Sequence, residues 1–195
     1  MLGAVGVAAP FILVGFSVGG LYARRYAAMY PGDVGGMVLV ESSHEGQTPL
    51  LNEVFTWKVK LEGVLFYPRT IFSRRGYRGG ADRLSLLREW RTFRGLTAAD
   101  KPLQPGELGG KPLVVLTRAD GGPYGGEQWK VWHAFHVEQA ALSGNSRHVI
   151  SAAHEHGLHQ ADPGLVLAAI QQVVRSVRDG APLADSAGLP GPPGL

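Results

Sequence analysis

Residues 10–30 read PFILVGFSVGGLYARRYAAMY, and their pattern decides the architecture. Phe11-Ile12-Leu13-Val14 is a short apolar run behind Pro10, of the kind that forms a strand buried on both faces. Residues 15–20 are glycine-rich and predict a tight turn. Residues 21–30 predict a helix, stopped by Pro31-Gly32. Met37-Val38-Leu39-Val40 is a second apolar run. Strand, helix and strand within about 30 residues make a βαβ crossover, which implies a parallel sheet.

The rest of the chain is organised around that unit. Leu113-Val114-Val115-Leu116, introduced by Lys111-Pro112, predicts a third buried strand. Residues 121–126 read as a flexible turn. Residues 127–142 read as a helix, with Trp129, Trp132 and Phe135 at helical spacing and His133 and His136 as surface or packing residues. Residues 147–152 predict a fourth strand. Residues 163–177 predict an amphipathic helix, begun by Asp162-Pro163 with proline in its first turn. Between the second and third strands this rhythm is lost. Residues 49–66 and 81–96 read as helices joined by a Gly/Pro/Arg-rich segment, as expected of a cap over a pocket. Trp57, Phe66 and Trp90 would line that pocket or pack within the cap. No internal repeat is visible. The expected division is a core of residues 1–46 and 111–179, a cap of residues 47–110 and a disordered Pro/Gly-rich tail, 180–195.

The chain has 195 residues, enough for one domain with a real core, and 45% of them are hydrophobic. It contains no cysteine, which excludes disulfides, thiolate metal ligands and a cysteine nucleophile. A cytoplasmic location is the plain expectation. The net charge is +3, and the excess is concentrated in residues 47–110. No regular basic–aromatic interleaving or nucleic-acid motif accompanies it, so a solvated surface is expected rather than a nucleic-acid partner. Residues 1–23 carry no charge and precede Arg24-Arg25. They lack a basic leader, and Pro10 and five glycines make them a poor continuous helix, so no membrane segment is expected.

Gly15-Phe16-Ser17-Val18-Gly19 fits G-x-S-x-G between a strand and a helix, the context that gives this short pattern meaning. A sharp strand-to-helix turn strains the serine backbone, and glycines on both flanks relieve crowding. The hydroxyl of Ser17 then stands clear of the sheet at a helix N-terminus. There the helix dipole and the Val18 amide can stabilise a developing oxyanion. A serine nucleophile needs a base, and the base needs an orienting acid. Residues 153–162, between the fourth strand and the last helix, offer His154, His156 and His159. Two carboxylates stand at strand ends, Glu41 after the second strand and Asp120 after the third. Asp120-Gly121 is also a turn dipeptide.

The run PFILVGFSVGGLYARRYAAMYPGDVGGMVLVESSHEGQ resembles the elbow and following strand of the α/β-hydrolase fold family. The nearest likeness is to a bacterial branch with a Ser-Ser-His-type run after that strand, here Ser42-Ser43-His44. The run SRHVISAAHEHGLHQADPGLVLAAIQQVV resembles the C-terminal end of the same family. The resemblance covers nearly all of residues 9–178, the cap only loosely. It implies an α/β fold: a partial, mostly parallel α/β-hydrolase sheet with a helical cap insertion. It also implies an esterase-like enzyme acting on a small-molecule substrate, with no cofactor. Registering on Pro163 puts the family's catalytic histidine at His156 and a second, non-catalytic one at His159. Phe16 stands where many members have histidine, and Glu155 where glycine usually precedes the base. The branch favours Glu41 as the acid, with Asp120 as the alternative. His44 is placed where it could touch a substrate.

His154-x-His156-x-x-His159 also has the histidine spacing of metallo-β-lactamase-type hydrolases. Leu158 replaces the aspartate of that pattern, and no functional metal site is expected. The family has about eight strands, and the elbow follows the fifth. Residues 1–10 resemble the end of the helix before the elbow strand. The chain therefore reads as the C-terminal two-thirds of such an enzyme, without the loop that gives the second oxyanion amide. A sheet edge left open in this way invites self-association into a homo-oligomer or the loss of activity.

Overall fold

The computed structural model describes residues 6–47, 102–121 and 125–184. The chain divides into two units, Met1–His44 with Lys101–Leu195 and Glu45–Asp100. The expected cap helices, the Arg-rich segment and Trp57, Phe66 and Trp90 lie outside the described residues.

The first unit contains four strands: β1 (Phe11–Phe16), β2 (Val34–Val40), β3 (Leu113–Thr117) and β4 (Ser146–Ile150). They form one sheet in the order β1-β2-β3-β4, and every neighbouring pair is parallel. Parallel neighbours need crossovers. Helix α1 (Val18–Met29) joins β1 to β2, and α2 (Glu127–Ala140) joins β3 to β4. The four-residue α3 (Leu158–Ala161) and then α4 (Pro163–Asp179) follow β4.

Side-chain alternation along the strands splits the core in two. Val38, Val40, Val114 and Leu116 face Leu165, Val166, Ala169 and Val173 of α4. Met37, Leu39, Leu113 and Val115 pack with Ala23 and Ala27 of α1 on the other side. Both faces of β2 and β3 are therefore covered, which is why their sequences are continuous apolar runs rather than alternating ones. Each such fully buried Val or Leu contributes about 1.5–3 kcal/mol through burial. Val14 in β1 is 49% exposed, and among the described residues no strand pairs with the outer edge of β1.

Two boundaries differ from the sequence reading in an instructive way. The turn is shorter than residues 15–20: β1 runs to Phe16 and α1 begins at Val18, leaving Ser17 as the whole corner. Gly19 and Gly20 belong to the first helical turn. At the other end, the tail does not start at residue 180. Gly180 closes α4 in the left-handed conformation (φ 63°), but Leu183 is buried against the core and its amide donates to Asn145 Oδ1 at 2.9 Å. Gln172 Nε2 donates to the Ala184 carbonyl at 2.8 Å. Residues 181–184 thus pack as part of the core unit, and residues 185–195 lie outside the described residues. Among the described residues no helix is long and apolar enough to cross a membrane.

Candidate active site

The C-terminal ends of β1 and β2 lie side by side, and each hands its chain to a residue with positive φ. Ser17 has φ 51° and Glu41 has φ 45°. For a non-glycine residue this conformation costs about 1–3 kcal/mol and persists only where the surroundings fix it. Here backbone bonds do so. Ser17 N–H donates to the Val40 carbonyl (3.0 Å), Glu41 N–H to Leu116 (2.9 Å) and Ser43 N–H to Ser17 (2.9 Å). The buried Arg24 of α1 adds two side-chain donors, Nη1 to Ser42 Oγ (2.8 Å) and Nη2 to the Ser43 carbonyl (2.9 Å).

Glycine is needed at two points of this corner. A Cβ on Gly15 would come 2.6 Å from Gly20 Cα, and one on Gly20 would run into the Ser42 side chain. Gly19, by contrast, would meet nothing within 4 Å beyond its own helix. The crowding expected on both flanks of Ser17 is therefore relieved by Gly15 and Gly20, not by Gly19. Val18 is the first residue of α1, where amide N–H groups have no acceptor within the helix.

The segment between β4 and α4 brings His156 over this corner. Leu158 is fully buried in the α4-side core and anchors the segment. Asp162 accepts from Ser151 Oγ (2.7 Å) and caps α4 by accepting from Leu165 N (3.2 Å). His156 Nε2 lies 3.1 Å from Ser17 Oγ, and Nδ1 lies 3.1 Å from Glu41 Oε2. Glu41 is 0% exposed and the His156 side chain 40% exposed. With a buried carboxylate at Nδ1, the consistent tautomer has Nδ1–H donating to Glu41, so Nε2 accepts the Ser17 hydroxyl. Glu41 Oε1 accepts the Arg118 amide (2.8 Å), and Oε2 accepts the Trp132 indole (3.1 Å) and has the Arg118 guanidinium Nε at 3.4 Å.

The other sequence candidates stand apart from this line. Asp120 is exposed, and its Oδ1 accepts the Gly126 amide (2.9 Å) at the entry to α2. The ring of His154 packs over Gly121, where a Cβ would come within 2.8 Å of Nδ1. His159 meets the Phe16 ring edge-on at 4.6 Å, and Phe16 also lies 5.0 Å from the His156 ring. His44 stacks on Phe135 (4.2 Å) and approaches Glu138 Oε2 at 3.3 Å. Among the described residues no three His, Cys, Asp or Glu side chains gather as a metal ion would need.

Sequence reasoning missed a buried polar line behind Glu41. His136 Nε2 lies 3.0 Å from the Ser42 carbonyl and so carries the proton. Its Nδ1 then accepts the Thr117 hydroxyl (2.7 Å), whose oxygen accepts from His148 Nε2 (2.7 Å). Burial pushes the His136 imidazole down to about 3. Burial, with His133 nearby, pushes His148 down to about 4. Both rings are therefore neutral at physiological pH, which this bonding order requires of His136.

A hydroxyl, an imidazole and a buried carboxylate in one hydrogen-bonded line, beside a helix N-terminus, can deprotonate the hydroxyl as it attacks an electrophile. Residues 6–147 match the alpha/beta hydrolase fold family, and the chain belongs to it. Among solved structures it resembles a probable hydrolytic enzyme from Pseudomonas aeruginosa (18% identity, TM-score 0.55, 89% of this chain and 65% of that one). It also resembles a thermophilic esterase from Thermogutta terrifontis (19% identity, TM-score 0.53, 90% of this chain and 68% of that one). A third likeness is to a candidate non-heme bromoperoxidase from Mycobacterium tuberculosis (17% identity, TM-score 0.54, 90% of this chain and 70% of that one). The chain thus spans less than two thirds of the length of the Pseudomonas protein, 65%. No curated protein matches it.

Proposed function

We propose that the chain carries the nucleophile, base and acid of a serine hydrolase acting on ester- or amide-like small molecules. The observation that supports it most is the paired 3.1 Å contacts of His156, one to Ser17 Oγ and one to Glu41 Oε2. On this reading Ser17 attacks the substrate carbonyl while His156 takes its proton. His156 then gives that proton to the leaving group, and an acyl-enzyme forms. Water, activated by the same imidazole, releases the acid and regenerates Ser17. The buried Glu41 carboxylate holds the ring in the working tautomer and stabilises the imidazolium. The Val18 amide donates to the tetrahedral oxyanion, a contact of the kind whose loss costs about 3–4 kcal/mol. The reading needs no cofactor, nucleic acid or membrane, and it suits a cytoplasmic enzyme.

It assigns the acid to Glu41 rather than Asp120, whose carboxylate already serves a turn. Hydrolysis of a short-chain chromogenic ester tests that choice. Glu41→Gln should lower kcat by about 10²–10⁴-fold, because the amide no longer enforces the working tautomer or stabilises the imidazolium. Asp120→Asn should stay within about threefold of the parent, since it removes no contact to the imidazole. The reverse ranking would move the acid to Asp120.

A further inference from the structure

The proposed reaction uses the ring of His156 and one oxygen of Glu41, and that oxygen is shared. Glu41 Oε1 is taken by the Arg118 amide (2.8 Å), so Oε2 alone serves His156. The same Oε2 accepts the Trp132 indole at 3.1 Å, as close as the imidazole itself. The carboxylate is fully buried, so bulk water cannot readily take over a lost donor. Trp132 also meets the His156 ring edge-on (centroids 6.0 Å apart, 74°), while Phe16 flanks that ring at 5.0 Å.

Helix α2 is registered for this contact by two further donors. His136, four residues on, donates to the Ser42 carbonyl (3.0 Å), and Gln139, seven residues on, donates to Ser43 (3.2 Å). Positions i, i+4 and i+7 share one helix face. One face of α2 therefore grips three consecutive residues, Glu41, Ser42 and Ser43. A tryptophan that served packing alone could have left its N–H toward solvent. This one aims it at the only carboxylate oxygen that reaches the base.

We propose that Trp132 is a positioning residue: its indole N–H fixes Glu41 Oε2, and so sets the orientation of the His156 imidazole and how strongly the carboxylate holds it. The inference rests on the serine-hydrolase reading. Three groups share the charge of that oxygen: the imidazole and the indole at 3.1 Å and the Arg118 guanidinium Nε at 3.4 Å. Removing the indole donor leaves more of that charge for the imidazolium and lets the ring swing. Besides Glu41, the titratable or charged groups around His156 among the described residues are Arg118 on the carboxylate and His154, Glu155 and His159 in its own segment. His136 stands edge-on to Trp132 at 5.5 Å. Substitution of Trp132 changes none of these.

The test is Trp132→Phe, which keeps an aromatic ring and deletes the N–H. The NMR titration midpoint of the His156 imidazole should move up by about half a pH unit. Turnover of a chromogenic ester should fall about tenfold with KM within twofold, as expected for a misplaced base. A folded variant with unchanged midpoint and turnover would overturn the proposal. A measurement on the parent chain guards against a variant that does not fold. There the Trp132 indole N–H resonance should titrate with the His156 midpoint and shift in Glu41→Gln. A resonance blind to both would also overturn it. If Ser17 never reacts with a fluorophosphonate, the hydrolase reading fails, but the NMR titration still decides whether Trp132 governs His156.

Discussion

His136 is buried and His148 part-buried, both as neutral rings, and for His136, whose Nδ1 must accept the Thr117 hydroxyl, neutrality is a condition of the bonding. Protonated His136 would turn both ring nitrogens into donors, leaving Thr117 Oγ1 between two N–H groups. The sign of the pH dependence follows. In the unfolded chain each imidazole titrates near 6.5; in the folded chain the values are about 3 and about 4. The unfolded state therefore binds more protons between these limits. Stability is fully present above pH 6.5 and falls as the pH drops toward 4. Between pH 6.5 and 5 two such groups remove up to about 4 kcal/mol. Urea midpoints taken at pH 7 and pH 5 check this, with a loss at pH 5 expected and His148→Gln expected to cut it to about half. Equal midpoints in the parent would mean that the rings are not buried as described. At this same scale, sequence revealed only part of the site. Ser17 was legible because its glycine frame is local. The three histidines of residues 153–162 were legible as a group, and the choice of His156 came from spacing to Pro163. Glu41 as the partner of His156, 115 positions away, came from the family resemblance alone, and its bond to Trp132, 91 positions away, was not legible.

At the scale of elements, β2 and β3 were the easiest to read. Both faces of each are covered, so their apolar runs have no polar interruption. Helix α4 was also plain, with Asp162 and Pro163 at its start and Gly180 at its end. The start of α1 was misread because glycines normally argue against a helix. Gly20 is there because the helix crosses the Ser42 loop too closely for a Cβ. Gly20→Ala should therefore destabilise the fold by several kcal/mol, about 2 or more, through overpacking. Gly19→Ala should be neutral or stabilising by about 0.5–1 kcal/mol, the gain in helix propensity. Thermal melts of the two variants check the contrast. Equal losses would mean that the corner is not packed as described. Four-residue α3 was not anticipated, since one helical turn leaves no periodic pattern.

At the scale of the whole molecule, the described core is a parallel sheet that carries a serine, an imidazole and a carboxylate along one end. The family assignment rests on residues 6–147, while the cap was expected from sequence over residues 47–110, of which residues 101–110 fall in the first unit. Fold class was legible because a βαβ unit constrains handedness and strand order strongly. Chemistry was less so, since the same fold carries many reactions and the solved relatives share only 17–19% identity with the chain. The central claim is that Ser17 is a nucleophile activated by His156. A fluorophosphonate probe, with the modified residue mapped by mass spectrometry, tests it most directly. The account predicts one adduct, on Ser17, abolished in Ser17→Ala and slowed at least about 10³-fold in His156→Ala. Labelling of Ser17→Ala equal to that of the parent chain, or an adduct on another residue, would contradict it.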